Sequence, residues 1–250
     1  MHKYPIDINC DMGESIGNLI IGQDEKLMPF ITSCNIACGY HGGDPYHMQK
    51  TIELALKHNV RMGAHPSYPD VDGFGRREMS VEKEELKALL VSQIDGLNQM
   101  VNRFGGELRY VKPHGALYNK ASVNSKEAKI IIDAIQTVSP QLALMGLAGS
   151  IMQKAAKEKD IEFIPEAFCD RKYKIDGTLM SRAKQGAVLS NVNEVYTQVN
   201  SIVFDKTVTI NSGESISINA DSICIHGDNP MALEFLGAIR AMFKNHQNGD

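Results

Sequence analysis

Short apolar runs alternate along this chain with longer stretches in which apolar residues return every three or four positions, the periods of strands and amphipathic helices. Seven runs read as strands, over 4–11, 33–38, 61–66, 109–114, 142–147, 162–168 and 222–226. Helical periodicity covers 45–58, 80–104, 125–138, 150–159, 192–203 and 230–244. The 80–104 stretch places Leu86, Leu89, Leu90, Ile94, Leu97 and Val101 on one face. It crowds Glu82, Glu84 and Glu85 into its first turns, where carboxylates favour the positive end of the helix dipole. Asp44, Ser80 and Ser125 are candidate N-caps, and Gly105-Gly106 is a stop.

Alternating β and α units with short connections call for parallel strands and right-handed crossovers. At 250 residues the chain has the length of one β/α barrel. The expectation is one domain over 1–250, an α/β fold with a seven-stranded parallel β/α barrel, TIM-like but distorted; an open doubly wound sheet is the alternative. Two stretches interrupt the pattern. Residues 20–29 make a short polar excursion, and 207–219 read as a β-hairpin turning at Ser212-Gly213.

Six strand-like segments end in polar clusters: DINCDMGES, NIACGYHGGDP, GAHPSYPD, VKPHGALYN, IPEAFCDRKY and CIHGDNP. Barrels place their ligand sites at the carboxyl ends of the strands, so these clusters should build one pocket. Asp7, Asn9 and Asp11 stand two apart, and the pleat turns all three to one face, here the interior. His41 lies among glycines after the second strand and His65 ends the third. Lys112 and His114 share a face across Pro113, which favours an extended Lys112 aimed over the barrel mouth. Glu166, Asp170 and Arg171 end the sixth strand, and His226 with Asp228 the last. Arg171 suits an anionic ligand or an ion pair with Asp170. His2, His47, His58 and His246 fall at a terminus or in helices and are expected in solvent.

Imidazoles converging with carboxylates fit two chemistries, a divalent metal site or acid–base catalysis, although no HxxxH or HExxH pair occurs. Composition narrows the partners. A net charge of −4 without a long basic run disfavours nucleic acid and anionic membrane. No stretch approaches the roughly 20 apolar residues of a membrane span, and Met1 to Pro5 run into a strand without a signal-peptide core. A cytoplasmic protein is expected. The five cysteines form no CxxC pair and read as buried reduced thiols. Neither a GxxxxGK[ST] loop nor a GxGxxG turn nor a GxSxG elbow is present.

Together the segments DxNxDxGE, NxACGxHxGD, GAHPxxPD, VKPHGALYN, PExFxDR and CxHGD resemble the LamB/YcsF family, from Asp7 to Asp228. The resemblance implies a barrel of the glycoside hydrolase/deacetylase type. It also implies the A subunit of an ATP-dependent 5-oxoprolinase, which opens 5-oxo-L-proline to L-glutamate with hydrolysis of ATP to ADP and phosphate, alongside the B and C subunits of the complex. On that scheme Asp11, His41, His65, Lys112, His114, Glu166 and Asp228 are the catalytic candidates, and Asp7, Asn9, Asp170, Arg171 and His226 bind substrate. Lys112 and Arg171 stabilise charge, the histidines donate, and Asp11, Glu166 or Asp228 is the base. The alternatives are a metal-dependent amide hydrolase or deacetylase acting on a sugar-like substrate, and a noncatalytic binding component of the complex.

Overall fold

The structure, a computed structural model, describes residues 4–248. Seven parallel strands, β1 (Asp7–Met12), β2 (Ser33–Ala37), β3 (Arg61–His65), β4 (Leu108–Val111), β5 (Ala143–Leu147), β6 (Phe163–Phe168) and β9 (Ser222–Ile225), close into a barrel in which β9 pairs with both β1 and β6. The barrel expectation holds and the open sheet does not. A short antiparallel pair, β7 (Thr207–Thr209) and β8 (Ser215–Ser217), is the hairpin expected before the last strand.

Helices α1 (Asp24–Leu27), α2 (Pro45–His58), α3 (Lys83–Arg103), α4 (Gly115–Val123), α5 (Ser125–Val138), α6 (Ile151–Glu158), α7 (Val192–Asn200) and α8 (Ala232–Asn248) join the strands. None is long and apolar enough to cross a membrane. Asp44 caps α2 as expected, accepting from the His47 amide. The other two caps differ. Asn124 rather than Ser125 caps α5, because its amide oxygen reaches the Lys126 N–H, and α3 begins at Lys83, beyond Ser80, without a side-chain cap. Helix α4 went unread: it starts one residue after His114 with Gly115 at φ 56°, where a Cβ would stand 2.5 Å from the Gly75 carbonyl oxygen. Its apolar positions lack a clean stripe because the helix is buried on several sides, at Ala116, Leu117, Tyr118 and Ala121.

Strand parity divides the core. Outward residues such as Ile8, Cys10, Met12 and Ile36 join the layer packed under the helices. Inside the barrel, Tyr110, Ala143, Met145 and Ile164 form a separate apolar plug, while Asn9, Asn35, Lys112, Glu166 and Ser222 are buried polar groups. Gly63 makes this division possible. Tyr110 lies across it so closely that a Cβ would sit 2.2 Å from the ring, and the phenol thereby reaches the Asn35 side-chain oxygen at 2.7 Å. All five cysteines are free and buried.

Candidate active site

The polar half of the interior is organised around Lys112. Its ammonium lies 3.1 Å from Asn9 Oδ1, 3.1 Å from Asp11 Oδ1, 3.1 Å from Cys224 Sγ and 2.8 Å from Glu166 Oε2. The Glu166 contact is close enough to be an ion pair whenever that carboxylate is ionised. The expectation that Lys112 reaches over the mouth is corrected. Pro113 does set its direction, but in a closed barrel that direction is inward, and the side chain is 2% exposed.

Burial alone would lower the Lys112 value, yet Asp11, Cys224 and Glu166 outweigh it and hold the amine well above its usual range. Burial pushes Glu166 up to about 7 against the pull of Lys112. Asp11, which burial would raise, is held well below the carboxylate range by His65 and Lys112. Glu166 therefore takes up a proton on folding near neutrality, while Asp11 stays ionised.

This has a measurable consequence. Because the folded value of Glu166 exceeds its unfolded one, its ionisation opposes folding, and stability is lost as pH rises from about 4.5 to about 7. Over that window the unfolding free energy of Glu166→Gln is expected to gain on wild type by roughly 3 kcal/mol. Urea titrations of both proteins at a series of pH values check this; a constant difference would mean that Glu166 binds its proton equally well in the folded and unfolded chains.

A second group surrounds Glu14. His41 Nε2 lies 3.2 Å from Glu14 Oε1, and His114 Nδ1 lies 3.6 Å from the same oxygen and 2.9 Å from His65 Nε2. The His41 and His114 rings stack at 3.8 Å. Asp11 Oδ2 stands 3.3 Å from His65 Nε2, linking this group to Lys112. Burial and the neighbouring imidazoles push His41 and His114 well below their usual range. The 70–77 loop closes over them: Phe74 O meets His114 Nε2 at 2.9 Å, and at Gly75, with φ 63°, a Cβ would lie 2.8 Å from both His114 Cδ2 and His41 Cβ. Asp70, buried and bound to Arg77, holds that loop.

The third group is His226 with Asp170. His226 Nδ1 is 2.8 Å from Asp170 Oδ1, and Asn229 supports the same carboxylate at 3.3 Å. Burial lowers His226, partly offset by Asp170. Asp170 would be raised by burial, but His226 brings it below the usual range. Arg171 does not pair with Asp170. Its Nη2 donates to Met180 O, its Nε has no hydrogen-bond partner, and burial with the nearby Arg182 depresses it to about 10.

These groups border a cavity of about 610 Å³ at the carboxyl ends of the strands. Asp11, His65, Lys112, His114, Arg171 and His226 line it. His41, Glu166, Asn9 and Asp170 lie behind that wall, touching His114, Lys112 or His226. Asp228 sits at the rim, paired with Arg76 at 2.6 Å. Asp7 is corrected. It faces inward but at the opposite end of β1, bound to Thr32, Ser33 and Arg61, because four strand steps carry it about 13 Å from Asp11. The polar carboxyl ends of the strands were legible in alternation; Glu14 was not, because Gly13 at φ 70° breaks the pleat just before it. Asn35 and Tyr118 were not singled out from the sequence, and Cys224 was read only as a buried thiol. His2 lies outside the described residues; His47 and His58 are half-buried on α2 and His246 is exposed.

The LamB/YcsF family model matches residues 6–249, a span that holds every one of these groups. The chain belongs to the LamB/YcsF family. It is 44% identical over 242 residues, 96% of each chain, to the 5-oxoprolinase A subunit of Bacillus thuringiensis subsp. konkukian (strain 97-27). The crystal structure of a lactam utilization protein from Thermus thermophilus superposes with a TM-score of 0.90 at 36% identity, covering 97% of each chain. A putative cellobiose-phosphate cleavage protein from Enterococcus faecalis V583 shares the fold alone, at TM-score 0.56 and 13% identity over 97% of this chain and 93% of that one. Among the described residues of this LamB/YcsF chain two sets of side chains could hold a metal ion, Glu14 with His41, His65 and His114, and Asp11 with Cys224 and His226; within each set the donor atoms lie within 4.8 Å of one another.

Proposed function

We propose that this LamB/YcsF protein is the A subunit of an ATP-dependent 5-oxoprolinase and opens the lactam ring of 5-oxo-L-proline to L-glutamate in the barrel cavity. Its full-length relationship to proteins named as the A subunit of 5-oxoprolinase carries the reading, and the site's chemistry agrees with it. A lactam carbonyl resists attack by water. Transfer of the γ-phosphoryl group of ATP to the lactam oxygen would activate it, after which one water adds to the ring carbon and the ring C–N bond breaks as nitrogen gains a proton, leaving an acyl phosphate that a second water cleaves to the carboxylate and inorganic phosphate.

Each need has a candidate group. Lys112 supplies fixed positive charge at the cavity floor, and Arg171 has a buried Nε available for an anion. His226 is the best-placed base for water: Asp170 accepts from Nδ1–H, leaving Nε2 with a lone pair, the arrangement by which a carboxylate orients a catalytic imidazole. Asp11 is held too low to compete as a base and serves to fix Lys112 and His65. Asp228 is engaged with Arg76 at the rim, a position suited to substrate entry.

The chain has no phosphate loop, which supports a reading in which ATP is handled at a shared interface or by another subunit of the complex. The purified chain with ATP and 5-oxoproline is accordingly expected to release glutamate slowly or not at all, and mixing it with the two partner proteins should restore turnover. Full activity of the chain alone, measured by glutamate formation, would overturn that division of labour.

A further inference from the structure

We propose that Glu14, His65 and His114, backed by His41, form a binding site for one divalent cation of the zinc class, opening onto the cavity. The proposal goes beyond the lactam reading and stands independently of it. It begins with hydrogen-bond direction. His65 Nδ1 lies 2.7 Å from Lys112 O, and His114 Nε2 lies 2.9 Å from Phe74 O. A carbonyl only accepts, so each of those nitrogens carries the ring's N–H.

The opposite nitrogens, His65 Nε2 and His114 Nδ1, are then the ones that can turn a lone pair to an ion, and they face each other at 2.9 Å. Glu14 Oε1, 3.6 Å from His114 Nδ1, and Asp11 Oδ2, 3.3 Å from His65 Nε2, add two more acceptors to the same space. These donor atoms converge on one space, with His41 Nε2 beside them at 3.2 Å from Glu14 Oε1, and those of Glu14, His41, His65 and His114 all lie within 4.8 Å of one another. One cation there would engage several of them together.

The spacing suits an ion. Two donors on one tetrahedral zinc, at about 2.1 Å each, stand about 3.4 Å apart, and the observed separations of 2.9 and 3.6 Å bracket that value. The backbone carbonyls behind His65 and His114 are the outer partners that fix the tautomer of a metal-binding imidazole. Imidazole and carboxylate together favour zinc or manganese over calcium or magnesium. Glu14, His65 and His114 all reach the cavity wall, so a bound ion would have an open side, and it would supply Lewis acidity toward an oxygen placed there.

The test is metal uptake by the untagged full chain, stripped with chelator, dialysed against zinc and analysed by inductively coupled plasma mass spectrometry. One zinc per chain is expected in wild type and in a His47→Gln control. In Glu14→Gln and His114→Gln, affinity is expected to fall by at least about tenfold to a hundredfold. Anomalous scattering at the zinc edge from crystals of the wild-type chain supplies a second measurement that needs no variant. It should place the ion between Glu14, His65 and His114. Failure of wild type to take up stoichiometric zinc, uptake unchanged in both variants, or an ion located elsewhere would each overturn the proposal, leaving a shared proton between the two rings. None of these readouts depends on 5-oxoproline turnover, so a failed activity assay would bear on the lactam reading alone.

Discussion

Lys112→Met is expected to lower folding stability by about 3–5 kcal/mol, the cost of leaving buried carboxylates without their cation, and to slow turnover by the assembled complex about a hundredfold or more. The local argument from Pro113 had Lys112 aimed over the barrel mouth, where removing its charge would change fold stability little. In the barrel the same side chain is the positive centre between Asp11 and Glu166, buried at the floor of the cavity. Methionine keeps the length and removes the charge, so Asp11 must recruit a proton or rely on His65 and Asn35. Urea denaturation measures the first effect and steady-state glutamate formation the second. The double variant Lys112→Met with Glu166→Gln separates them: it should recover part of the stability, since one stranded carboxylate is gone, and none of the rate. A single variant as stable as wild type would mean that the buried cluster carries no net charge.

Asp170→Asn is expected to reduce turnover by about 10²- to 10⁴-fold, the range general-base catalysis and its orienting carboxylate command. An asparagine can keep the contact by turning its NH₂ toward His226 Nδ1, but that nitrogen must then accept, and the ring proton moves to Nε2, where the lone pair is needed. Size and shape change little, and Asn229 can still meet the side-chain oxygen, so circular dichroism and the unfolding midpoint should stay close to wild type. Substrate KM should hold while kcat falls. A rate within a few-fold of wild type would move water activation away from His226.

Placed beside the chain itself, these two residues mark where sequence reading succeeds and stops. Alternation of apolar and polar positions was enough for the seven strands and for the polar ends of β1, β3, β4, β6 and β9, because the pleat ties sequence spacing to side-chain direction. It was enough to bring Asp11, His65, Lys112, His114 and His226 to one rim. Position along a strand carries a second coordinate that period alone does not weigh, which is why Asp7, sharing a face with Asp11, went to the wrong end of the barrel. Backbone conformation supplies a third, since Gly13 at positive φ turns Glu14 out of the register that would have revealed it.

What the sequence determined by itself was the set of chemical groups, their order on the strands and the barrel that gathers them. Burial and pairing were decided by the tertiary structure. Whether Lys112 is a surface amine or a buried counterion, whether Arg171 meets Asp170 or leaves it to His226, and whether two imidazoles face each other through ring nitrogens all depend on contacts between strands far apart in the chain. Those contacts form only when the barrel closes, and closure removes the water that would otherwise make such groups interchangeable.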